Sequence, residues 1–262
     1  MSIFDVYVTK LAEYVEEMRA GGKRIRETSY PATASQLMER LPVRVGPDAS
    51  PGIILRGDTF VELGNPEAGS AAFVLWTNNP SLIRDGRITL IGPDIQESPG
   101  ASLPFAQVLM VAGAGLGEEE HETLEQSQYV ADQIEGYMIR SSSQHMWSRV
   151  SKDAAAKGFS FDTLGRALMV IFKSGMPKVQ AVEVVFVTSS KEDVQQLDGI
   201  AAQVRKIAKD IVAKAWKAKG IDILECTFGW DCTSCPDRPV CDDIREIITV
   251  RKQKAKKAEE AA

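Results

Sequence analysis

All four cysteines of this 262-residue chain fall between Cys226 and Cys241. Everything before them must hold together by burial of apolar side chains, and a chain of this length can bury a substantial core. The spacing is Cys226-x5-Cys232-x2-Cys235-x5-Cys241. Four thiols match the four positions of a tetrahedral metal site or the four corners of one cubane. Cys232 and Cys235 bracket a two-residue turn, so both sulfurs can face one point. Pro236 and Pro239 keep the next stretch out of helix, leaving its backbone free to wrap. The surrounding "DCTSCPD" is too polar for a core.

Zinc ribbons and fingers usually carry two tight knuckles, whereas here one knuckle has a wide arm on either side. Wide arms suit a cubane, whose ligands attach at separate corners. The expectation is a 4Fe-4S cluster held by Cys226, Cys232, Cys235 and Cys241, with zinc as the alternative. Such a cluster is anionic; Arg238, Arg245 and the amides opening a helix at Asp242 could offset it. Disulfides are the minority reading, because the chain reads as cytoplasmic. Its first residues, "MSIFDVYVTKLAEYVEEMRAGGKRIR", form an amphipathic stretch and not a signal peptide. No apolar run is long enough for a bilayer. A net charge of −5 argues against a broad nucleic-acid surface.

Periodicity predicts a helix over residues 4–19, with Val6, Val8, Leu11, Tyr14, Val15 and Met18 at mostly helical intervals, stopped by Gly21-Gly22. A polar connector follows, then a short helix at 35–40. From Leu41 glycine and proline punctuate short apolar pieces: "TFVEL", "AAFVLW", "RITLIG" and "PFAQVLMVAG" read as strands. Residues 118–139 read as one helix with an acidic first turn, 161–174 as another, "VQAVEVVFVT" as a strand and 190–219 as a long helix. There is no internal repeat. The predicted class is α+β, a mixed sheet with packed helices plus a C-terminal cysteine-rich metal-binding segment and helix. Its divisions are a helical lead over 1–40, a central domain over 41–220 and the cysteine segment over 221–262.

Several phrases follow one another with few gaps: "RGDTFVELGN", "DGRITLIGPDI", "LPFAQVLMVAG", "WSRVSKDAAAKGFSF" and "VQAVEVVFVT". In that order they resemble the middle domain of the CO-methylating acetyl-CoA synthase family, the beta subunit of the carbon monoxide dehydrogenase/acetyl-CoA synthase complex. "IGPDI" and "RVSKDAAAKGF" are the most specific parts. The resemblance implies an α+β domain in anaerobic one-carbon metabolism, where a methyl group from a corrinoid iron–sulfur protein, CO and coenzyme A are joined. In that family the nickel–iron–sulfur centre lies in a following domain that supplies a Cys-Gly-Cys. This sequence has no Cys-Gly-Cys, so the nickel ligands are not carried over. The expectation is a short stand-alone relative, accessory to a corrinoid or other one-carbon protein and not able to form acetyl-CoA alone. The alternatives are an enzyme using coenzyme A or an acyl-CoA at its cluster, and a zinc-stapled binding module.

The family's middle domain has an arginine-rich surface and a tryptophan near the coenzyme A approach. Met138 stands where that tryptophan is expected, while Trp147, Arg149 and Lys152 match. Arg56, Arg84 and Arg149 are candidates for phosphate or carboxylate contacts, since guanidinium forks suit both. Solvated surface charge with Trp147 in the core is the competing reading. Gly113, Gly115 and Gly117 imitate a phosphate loop, but their order is not the dinucleotide fingerprint and "EEEHE" beyond them would repel a pyrophosphate. His121 and His145 have no nucleophile or acid partner in sequence. Glu62 and Glu67 suggest no paired-carboxylate geometry. The tail "RKQKAKKAEE" reads as a solvated, fraying helix.

Overall fold

The computed structural model describes residues 2–30, 33–49, 52–129, 133–141 and 146–218, together with Cys235, Arg238, Cys241 and Asp242. It is an α+β structure with two mixed sheets and packed helices. The first helix, α1 (Asp5–Ala20), buries Val8, Leu11, Tyr14, Val15 and Met18 at helical steps, as the sequence predicts, whereas Val6 of the predicted set faces water. Phe4, just before it, is fully buried and meets the Trp76 ring edge-on at 5.6 Å.

The larger sheet has five strands: β1 (Ile25–Ser29), β3 (Ser70–Thr77), β4 (Arg87–Ile91), β6 (Phe105–Ala112) and β9 (Ala181–Val187). Their order is β1-β4-β9-β6-β3. Strands β4 and β9 are parallel, as are β3 and β6, while β1–β4 and β6–β9 are antiparallel. Every residue of β6 and β9 is buried, the signature of central strands covered on both faces. Helix α5 (Phe161–Gly175) packs on β9 and β4, and α1, α6 (Lys191–Gln196) and α7 (Asp198–Ala218) pack on β3. One buried apolar cluster runs from Phe4 to Ile211.

The smaller sheet holds β2 (Thr59–Leu63), β5 (Ser102–Leu103), β7 (Tyr137–Ser141) and β8 (Trp147–Ser151), in the order β5-β2-β8-β7. Short helices α2 (Ala34–Met38), α3 (His121–Ser127) and α4 (Lys152–Ala156) complete the fold. No helix among the described residues is long and apolar enough to cross a membrane.

Three expectations need correction. The helix predicted over 118–139 is only α3, and the chain then turns into β7. Gly136 makes that turn at φ +75°, where a Cβ would stand 2.3 Å from Ala154 Cβ. The polar connector after α1 contains β1, an edge strand with no apolar alternation to announce it. The long helix over 190–219 breaks at Leu197 into α6 and α7. Ser190 caps the first piece by accepting from Asp193 N–H at 3.1 Å; of the apolar stripe over the two pieces, Val194, Leu197, Val204 and Ile211 are buried and Ile200 and Ile207 are partly buried against the core.

Candidate functional site

Cys235 and Cys241 are free thiols, each half-buried. Cys226 and Cys232 lie outside the described residues, as do Arg245, His145 and the basic tail. No cluster of three or more His, Cys, Asp or Glu able to hold a metal stands among the described residues. Arg238 lies midway between Cys235 and Cys241, and its N–H donates to the Cys235 carbonyl at 3.2 Å. Its guanidinium donates to Glu122 Oε1 at 2.5 Å and to Asp242 Oδ2 at 3.3 Å. The cation expected to offset a cluster therefore spends its charge on two carboxylates, one from its own segment and one from α3.

The second group of candidates converges on the smaller sheet. Arg149 stands opposite Glu62 on β2 and opposite Met138 on β7, so the three share one sheet face. The Arg149 fork donates to Glu62 Oε1 through Nε at 2.8 Å and Nη2 at 2.5 Å, and Nη1 reaches the Ile54 carbonyl at 3.4 Å. Arg149 is 7% exposed, so this is a buried cross-strand ion pair and not an open phosphate fork. Trp147 is half-buried, with the Arg140 guanidinium 4.2 Å above its ring, a cation–π contact. Lys152 at the start of α4 and Arg56 in a 3-10 turn before β2 are exposed. Arg84 lies apart from them, before β4 of the larger sheet; its backbone N–H donates to Glu183 Oε2 at 2.6 Å. Sequence reasoning missed Arg140 and the buried Glu183. The only charge inside the apolar run "VQAVEVVFVT" was the available signal for the latter.

The two most specific phrases touch each other. Gln96, just after "IGPDI", donates to the carbonyls of Ala155 at 2.7 Å and Phe159 at 3.1 Å, both within "RVSKDAAAKGF". Asp94 accepts from the Phe161 N–H at the head of α5 at 3.0 Å and pairs with Arg26 of β1 at 3.0 Å. These phrases therefore join β4, α4 and the start of α5, and their role visible here is architectural.

His121 is fully buried and stacks on Phe4 with 5.3 Å between ring centroids. Neither ring nitrogen makes a hydrogen bond among the described residues, and Glu125 Oε1 stands 3.9 Å from Nε2, beyond hydrogen-bond reach. Burial pushes its pKa down from 6.5 to about 4. Its folded value lies below its unfolded one, so on acidification the unfolded chain takes up the proton first. The associated stability is intact above about pH 6.5 and drains away toward pH 4. The loss should reach about 2 kcal/mol by pH 5. Urea titrations at pH 7.5 and 5 should show this loss shrinking in His121→Phe; equal losses in both proteins would refute it.

A family model for the CO dehydrogenase/acetyl-CoA synthase complex beta subunit matches residues 41–194. The chain is similar to the acetyl-CoA decarbonylase/synthase complex subunit beta of Methanopyrus kandleri, 31% identical over 220 residues, which cover 78% of this chain and 45% of that one. Subunit beta 1 of Methanosarcina thermophila is 27% identical over 200 residues, 76% of this chain and 41% of its own. The Archaeoglobus fulgidus subunit beta is 29% identical over 196 residues, 71% and 37% of the two chains. The chain spans about two fifths of the length of these relatives.

Proposed function

The chain belongs to the CO dehydrogenase/acetyl-CoA synthase complex beta subunit family, and from that footing we propose that it is an accessory iron–sulfur component of anaerobic one-carbon metabolism. In this reading residues 41–220 form a docking domain for a corrinoid iron–sulfur protein or another one-carbon protein. The segment over 221–262 carries one metal centre, a 4Fe-4S cluster on Cys226, Cys232, Cys235 and Cys241. When bound, a cluster of this kind supplies one-electron transfer or structural cross-linking.

The observation that carries the reading is the separation of the two features. The family match ends at residue 194, and all four thiols lie beyond it. The described pair, Cys235 and Cys241, are unbonded and half-buried, which suits the donor chemistry of thiolate ligands. Arg238, between the two described thiols, donates to Glu122 of α3.

Metal analysis after anaerobic purification tests the proposal. About four iron and four sulfide per chain are expected, with a brown chromophore that is lost in Cys235→Ser and Cys241→Ser. A colourless protein with one zinc would replace the cluster by a structural zinc site. Coenzyme A is the alternative ligand, and the Arg140–Trp147 stack beside exposed Lys152 is what favours it. Arg149 is already committed to Glu62, which weakens a phosphate role for that residue. A cluster spectrum that shifts on adding coenzyme A would move the assignment to the enzyme reading.

A further inference from the structure

Ile53 and Leu55 are the most exposed large apolar side chains among the described residues, at 82% and 63%. Ile54 between them is 3% exposed, so this short piece before β2 turns one side chain inward and its two neighbours outward. The backbone beneath is tied down. The Ile54 carbonyl accepts from Arg149 Nη1 at 3.4 Å. The Leu55 carbonyl accepts from the Asp58 N–H and from the Thr59 hydroxyl, both at 3.0 Å. Ile53 and Leu55 therefore project from an anchored support and cannot turn inward without unseating Ile54. Single exposed apolar residues are ordinary; two on one short, held stretch mark a contact surface.

The neighbouring charges select what covers the pair. Arg56 follows Leu55 and is exposed. Thr59 stands opposite Ser151 on β8, which brings Lys152, also exposed, to the same corner of the smaller sheet. Of the nearby acids, Glu62 is taken by Arg149 and Asp153 by Lys157 at 2.7 Å. Asp58, exposed in the same turn as Arg56, offsets one cation. The corner thus carries net positive charge on a chain whose total is −5. We infer that Ile53 and Leu55 are the anchor by which this chain docks a partner protein whose matching face is an apolar pocket with carboxylates on its rim. The aliphatic pair fills the pocket, while Arg56 and Lys152 steer the acidic rim onto it. A second copy of the chain fits less well, because a two-fold contact here sets the same cations against each other. The partner's metabolic class rests on the docking reading above; the contact surface itself does not.

Photo-crosslinking followed by calorimetry tests this surface. Benzoylphenylalanine in place of Gly57, where a Cβ meets nothing within 4 Å, is carried by the full chain in the cells that make it, and the protein it captures is purified. Capture alone decides nothing; the affinities of the variants do. Ile53→Ser and Leu55→Ser should each weaken binding about tenfold or more. Arg56→Gln should weaken it by less, with the difference erased at high salt. Val6→Ser, an exposed apolar position on α1, should bind like the parent. Thermal midpoints should be the same for all four variants, since each side chain is largely in water. Failure to capture any protein, capture of this chain alone, or equal losses in Val6→Ser and Leu55→Ser overturns the surface. Sedimentation with phosphatidylglycerol vesicles that is lost in Leu55→Ser would put a lipid surface in the partner's place. A captured partner from outside one-carbon metabolism leaves the surface standing and removes the reading above. A corrinoid iron–sulfur protein that binds Ile53→Ser as well as the parent does the reverse.

Discussion

Arg87→Met should destabilise the fold by about 3–5 kcal/mol, because it strands a charge in the centre of the larger sheet. Glu183 is fully buried on β9, and its carboxylate is held by Arg87 Nε at 2.7 Å, by Arg87 Nη2 and by the Arg84 N–H. Burial pushes the Glu183 pKa up, with the two arginines opposing it. Methionine keeps the apolar stem of Arg87 but leaves the carboxylate uncompensated. The sign of the pH response follows. A carboxyl whose folded pKa is raised destabilises the fold where it is ionised, and the penalty fades as pH falls and the group protonates. The deficit of the variant relative to the parent should thus be largest at pH 7–8 and smaller near pH 5. Adding Glu183→Leu should recover much of the loss, since apolar replacements of a buried ion pair are often tolerated. Urea midpoints of the two variants decide it: a single variant within 1 kcal/mol, by rough measure, of the parent at pH 8 would mean the ion pair is not what holds this joint.

Gly92→Ala is expected to cost about 2–5 kcal/mol, combining a disfavoured backbone with a collision. Gly92 ends β4 at φ +116°, and a Cβ there would stand 2.4 Å from Ser189 N and 2.6 Å from Thr188 Oγ1. That closeness is structural. The Thr188 N–H donates to the Ile91 carbonyl at 2.8 Å and its hydroxyl to the Pro93 carbonyl at 2.7 Å, so two parallel strand ends are stitched at this point. Backbone atoms cannot rotate aside as a side-chain tip can. Gly100→Ala is the control: its φ is +72° but nothing lies within 4 Å of a new Cβ. It should cost only about 1 kcal/mol. Equal shifts in thermal midpoint for the two variants would show that backbone conformation alone, and not the close approach, sets the requirement for glycine.

Legibility in the sequence followed local pattern. Strands β3, β4, β6 and β9 announced themselves as β-branched apolar runs, and α1 and α5 by their three- and four-residue steps. The edge strand β1 was hidden because most of it faces water and its pairing with β4 is a tertiary fact. Residues 118–139 misled because polar residues of good helix propensity continue past α3, while Tyr137, Met138 and Ile139 pair with β8, whose other neighbour β2 lies far off in sequence. Of the site candidates, Trp147, Arg149 and Met138 do come together on one sheet, but the burial of Arg149 against Glu62 could not be read from spacing.

By itself the sequence determined the α+β class, the apolar stripes, the gathering of every thiol after residue 225 and, through "IGPDI" and "RVSKDAAAKGF", the family. Only the tertiary structure decided which charges meet: Glu62 with Arg149, Glu183 with Arg87, Glu122 with Arg238. The reason is geometric. Periodicity and turn chemistry act over a few residues, whereas a charge chooses its partner by distance in space. Folding alone brings together groups that the chain itself separates widely.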